Sequence, residues 1–129
     1  NGDLQQLLAL IKSEGMLENC NFTFSQEEDI KAFKKIAPEV KTLQAYARSE
    51  KDLERIAKEV GANIAVAWID SLTPQFVEKC RKYNLQVLAL VLGLDDKTED
   101  NQKAVDLGVD IIATDRPIEF IMKYGKANP

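Results

Sequence analysis

Histidine is absent from this chain of 129 residues, and cysteine occurs only twice. Without histidine there is no Ser–His or Cys–His pair for nucleophilic catalysis, and the commonest metal ligand is missing. Cys20 and Cys80 are too few and too widely spaced for a disulfide framework or a close-set metal signature. No Gly-rich phosphate loop is present either. No apolar run approaches the ~20 residues needed to cross a bilayer, and residues 1–15 lack the charged start and apolar middle of a signal peptide. A soluble protein is expected, either cytoplasmic or exported with its signal removed.

Clusters of positive charge are also missing. The net charge is −4, and lysines alternate with glutamates and aspartates, whereas nucleic acid and anionic membranes call for a gathered basic face. The densest basic pairs, Lys34-Lys35 and Arg81-Lys82, read as solvated helix faces. Asn21-Phe22-Thr23 matches a glycosylation sequon but falls inside a predicted strand, so it reads as chance.

What is there, 45% hydrophobic and 29% charged residues, is the mix of one globular domain covering residues 1–129. Helices and short strands alternate throughout. Asp3 is placed to cap a first helix carrying Leu4, Leu7, Leu8 and Ile11, with Gly15 as its stop. Cys20 to Phe24 reads as a strand, and Ser25 with Glu28 as a capping box for a helix that ends before Pro38. Lys41 to Tyr46 is a second strand, followed by a helix from Glu50 to Val60 that stops at Gly61. Ile64 to Trp68 is a third strand, and Thr73 with Pro74 opens the next helix. Its stripe Phe76-Val77-Cys80-Tyr83 makes Cys80 a core residue. Gln86 to Leu92, a helix from Glu99 to Leu107, Val109 to Ala113, and a helix from Ile118 to Tyr124 with Asp115 as its N-cap complete the chain.

Such alternation predicts an α/β fold with parallel strands. A complete (β/α)8 barrel takes about 250 residues, so this chain supplies roughly half of one. The expectation is a partial, half TIM-type (β/α) barrel of about five parallel strands. Its edges would carry unpaired backbone groups, and its inner face would be built to meet absent strands. It therefore needs company: a second copy, giving a homo-oligomer (dimer), or a missing N-terminal half.

Three segments carry a family resemblance. Phe22-Thr23-Phe24-Ser25, followed by a helix and Pro38, resembles a strand ending in Ser-Phe that leads into a helix closed by proline. Leu72-Thr73-Pro74 through Asn84-Leu85-Gln86-Val87 is similar to the next segment, and Gly108 to Pro117, ending in Thr114-Asp115-Arg116-Pro117, resembles the closing strand. Together they resemble the C-terminal half of the glycerophosphodiester phosphodiesterase family. The resemblance implies metal-dependent hydrolysis of phosphoric diesters in glycerophospholipid turnover, with a divalent cation (Mg²⁺ or Ca²⁺) as cofactor. It also implies that the catalytic His-Arg pair, the second His and the metal-binding carboxylates precede the part matched, so this chain alone is expected to be inactive. Leu90-Val91 stand where the family usually has a pocket tryptophan and a threonine.

In a parallel barrel the chemistry sits at the carboxyl ends of the strands. The residues available there are Ser25, Tyr46, Trp68 with Asp70, Asp95 with Asp96, and Thr114-Asp115-Arg116. Arg116, Thr114, Trp68 and Tyr46 are the candidate ligand-binding residues for a small phosphodiester. Arg116 either holds phosphate or pairs with an acid such as Glu119, and the two aromatics either stack on a ligand or pack in the barrel mouth. Asp95 and Asp96 are weak candidates for a metal and more simply solvate a turn. The alternative reading is a non-catalytic oligomerising or ligand-binding module.

Overall fold

A computed structural model describes residues 2–92 and 98–125. In chain order it contains α1 (Gly2–Ser13), α2 (Glu27–Ile36), β1 (Gln44–Tyr46), α3 (Leu53–Arg55), β2 (Ile64–Trp68), α4 (Pro74–Lys82), β3 (Gln86–Val91), α5 (Thr98–Leu107), β4 (Ile111–Thr114) and α6 (Pro117–Tyr124). A 3₁₀ turn (Glu50–Asp52) precedes α3, and a π turn (Ile56–Val60) follows it up to Gly61 at φ 81°. The four strands form one sheet in the order β1-β2-β3-β4, every neighbouring pair parallel. This is the expected α/β half-barrel.

The first predicted strand survives as a single parallel bridge between Phe22 and Leu43. Phe22 donates its N–H to the Thr42 carbonyl (3.0 Å) and accepts from the Gln44 N–H (2.8 Å), and no ladder extends from there. Side-chain packing holds the segment extended instead. Phe22 and Phe24 lie on one side of it and both meet Phe33 of α2, with ring centroids 4.8 and 5.3 Å away.

Three predicted caps are not where expected. The N-cap of α2 is Gln26, one residue after Ser25, and no side chain closes it; Glu27, Glu28 and Asp29 in the first turn complement the helix dipole instead. The N-cap of α6 is Arg116 rather than Asp115, because the hydroxyl of Thr114 accepts the Arg116 N–H at 3.0 Å and carries the turn one residue further. Asp3 falls within the first turn of α1, not ahead of it. The Thr73 cap is as expected, its hydroxyl accepting the Phe76 N–H at 3.1 Å with Pro74 at the first helical position.

Strand residues alternate between two faces. Register places Ala45, Ala65 and Val87 side by side on one face, with Ala67 and Ala89 in the next row. All five are buried in the core formed with Leu53, Ile56, Phe76 and Cys80. Alanines in the sheet let the helices approach closely. The opposite face carries the row Tyr46, Val66, Leu88, Ile111 and the row Trp68, Leu90, Ala113. Of these seven only Leu88 is buried, and it lies apart from the helix-side core.

Arg81 is more than a solvated charge. Its guanidinium donates to the Asp110 carboxylate (2.7 Å) and the Gly108 carbonyl (3.0 Å), while Asp110 also accepts the Val87 N–H (2.8 Å). The Asp110 side chain thus takes the place of a ladder partner at the start of β3, and β4 begins one residue later.

Both cysteines are free. Cys80 is fully buried, and that burial pushes its thiol up to about 11. Native protein at pH 8 is therefore expected to react rapidly with one equivalent of a thiol reagent, at half-buried Cys20, and with a second only on unfolding. Two fast equivalents would contradict this packing.

Candidate functional site

The carboxyl ends of the strands gather the sequence-predicted residues along one rim, but not into one pocket. Tyr46 and Trp68 end β1 and β2 on the open sheet face, 47% and 38% exposed. Both are presented by the strand register, since each stands an even number of residues from Val66 or its partners. Leu90 and Ala113 continue the Trp68 row, so the wall beside Trp68 is aliphatic.

Thr114 has the other parity. It pairs with Val91, whose side chain is fully buried on the helix side. Its hydroxyl is used within the corner, on the Arg116 N–H. Arg116 itself is half exposed and lies 3.7 Å from Glu119 on the next turn of α6. It borders a hollow of about 100 Å³ shared with Asn101, Phe120 and Tyr124. Of the two sequence readings of Arg116, the structure shows the acidic neighbour, in a weak exposed pair.

Asp70 sits in a 3₁₀ turn after β2, and Ser25 precedes α2. Asp95 and Asp96 lie outside the described residues. The described rim carries hydroxyl, aromatic and guanidinium groups with the carboxylates of Asp70 and Asp115, and no three His, Cys, Asp or Glu side chains converge among the described residues.

A second arrangement escaped the sequence reading. Beside Tyr46, a cavity of about 450 Å³ opens between α2 and α3, lined among others by Phe24, Ser25, Glu27, Arg48, Asp52 and Arg55. Arg55 bridges two carboxylates, one guanidinium nitrogen on Glu27 and the other on Asp52 at 3.2 Å. Asp52 also accepts the Arg48 N–H at 2.9 Å. Burial pushes the Asp52 carboxyl up, but the Arg48 N–H and the Arg55 guanidinium outweigh it and hold it below its ordinary value. The i, i+3 spacing of Asp52 and Arg55 was visible in the sequence. Glu27, 28 residues from Arg55, was not connected to them by any local pattern.

This architecture defines one wall of a TIM-type (β/α) barrel, with Tyr46 and Trp68 exposed at its carboxyl rim. Among solved structures it is similar to glycerophosphodiester phosphodiesterases. A protein so assigned from Galdieria sulphuraria superposes with a TM-score of 0.83 at 24% identity, covering 98% of this chain and 52% of its own. The enzyme from Agrobacterium tumefaciens gives 0.78 at 23% identity, covering 91% and 50%. A 3-hexulose-6-phosphate synthase gives 0.54 at 20% identity over 70% of this chain. The chain thus spans about half the length of the phosphodiesterases it matches. No family model matches the sequence, and no curated protein matches it.

Proposed function

We propose that this chain is the substrate-facing C-terminal half of a glycerophosphodiester phosphodiesterase-like barrel, built to bind a small phosphodiester and unable to hydrolyse it alone. The observation that carries the reading is the coverage: nearly all of this chain matches about half of barrels so named. Fold alone does not fix function. The resemblance at Thr114-Asp115-Arg116-Pro117 supplies the second support.

In this reading Tyr46 and Trp68 give apolar contact to the ligand's alcohol groups, and Arg116, turned by Thr114, meets the phosphate charge. Hydrolysis further needs an acid for the leaving alkoxide and a clamp on the phosphoryl oxygens. The chain has no histidine, so in this reading those groups come from a complementary half. That half is either a second copy or the N-terminal part of a longer chain.

Pure protein given glycerophosphocholine with Mg²⁺ or Ca²⁺ is expected to show no turnover above background. The diester should still bind weakly, and Arg116→Ala should weaken that binding by on the order of tenfold, the worth of one charge-assisted hydrogen bond. Robust turnover by this chain alone would refute the non-catalytic assignment, and undiminished binding by the variant would remove Arg116 from the site.

A further inference from the structure

We propose that the cavity beside Tyr46 and Arg48 is a binding site for an uncharged polyol, a molecule or molecular end bearing adjacent hydroxyl groups. The proposal deepens the phosphodiester reading at Tyr46, which both share, but needs neither Arg116 nor catalysis. The cavity, about 450 Å³, is of small-molecule size.

Its charges are compensated. Glu27, Glu28 and Asp52 face Arg48 and Arg55, three negative groups against two positive, and Glu28 has Lys31 3.8 Å away. An anion entering here meets Glu27 and Asp52, and a cation meets the two arginines. A neutral hydroxyl, which both donates and accepts, satisfies either kind of neighbour.

The polar groups are also held in place. Because Arg55 spans Glu27 and Asp52, both carboxylates are fixed with lone pairs to spare for hydroxyl donors. The Arg48 guanidinium, the Tyr46 phenol and the Ser25 hydroxyl make no side-chain hydrogen bond among the described residues, so donors and acceptors of the opposite sense line the same space. Tyr46 and Phe24 add aromatic surface against which the carbon face of a polyol packs.

The test is an amide-shift titration of the full chain with myo-inositol, glycerol, inorganic phosphate and choline as separate probes. Inositol is expected to shift residues 25–28 and 46–52 with saturation in the millimolar range. Tyr46→Ala and Arg48→Ala, both at exposed side chains, are each expected to weaken it on the order of tenfold while the remaining spectrum stays folded. No polyol-dependent shift up to about 50 mM would overturn the proposal, given the affinity a ligand of that size can reach. So would phosphate or choline moving those amides more than inositol does. Arg116→Ala should leave the polyol titration unchanged, which separates this site from the phosphodiester reading.

Discussion

Phe33→Ala is expected to cost about 3–5 kcal/mol of folding stability and to lower Tm by roughly 10–20 °C, enough to unfold a marginal domain. Phe33 is fully buried, and α2 has few other anchors, with Ile30 as its only other buried residue. Its ring is also what holds Phe22 and Phe24 down. The segment they belong to has one bridge to the sheet, so the packing, not a hydrogen-bonded ladder, keeps it in place. The loss should therefore be uneven. In hydrogen exchange the Phe22 amide should lose protection well before those of β3. Tyr46→Ala, on the open face, should move Tm by only a degree or two. A Phe33→Ala protein melting within about 3 °C of the parent would show that α2 is held by something else.

The sequence was most legible where one local force decides. Ile64 to Trp68 reads as a strand because it is short, apolar and bounded, and nothing in the structure competes with that. Thr73-Pro74 marks its helix start because cap and proline agree at adjacent positions. Legibility failed where two local options differ by about a kilocalorie per mole and tertiary contacts choose between them. Ser25 and Asp115 are good caps in isolation, yet α2 and α6 each begin one residue later. Cys20 to Phe24 has the composition of a strand, but pairing also needs a neighbour whose groups run alongside, and only Phe22 finds one. The site divides in the same way. Tyr46 and Trp68 could be placed by strand parity, a local rule. The Glu27 arm of the bridge to Arg55 depends on how α2 packs beside α3, which no spacing in the chain encodes.

The exposed apolar groups are where the proposed complementary half would pack. α1 leaves Leu7 and Leu10 about half exposed, and α6 leaves Ile118, Ile121 and Met122 more exposed still. α1 precedes β1 and α6 follows β4, the two edge strands of the sheet, and the open face carries Tyr46 and Trp68. Single exposed leucines need no explanation, but α6 exposes three large apolar side chains within five residues. Covering a Leu-sized side chain is worth about 1.5–3 kcal/mol, so a partner covering both helices gains enough to associate at micromolar concentration even after the cost of ordering. If a second copy is that partner, wild-type protein at micromolar concentration should sediment at twice its own mass. Leu10→Lys combined with Ile121→Lys should then raise the dissociation constant at least about a hundredfold, since two buried anchors become charges. Tm of the isolated variant chain should change little, because both side chains face outward at 58% and 61% exposure. A wild-type protein that remains a stable monomer under these conditions would eliminate the second copy. The other half of a longer barrel would then be the partner of these helices, and adding that half in trans should protect the amides of β4 from exchange.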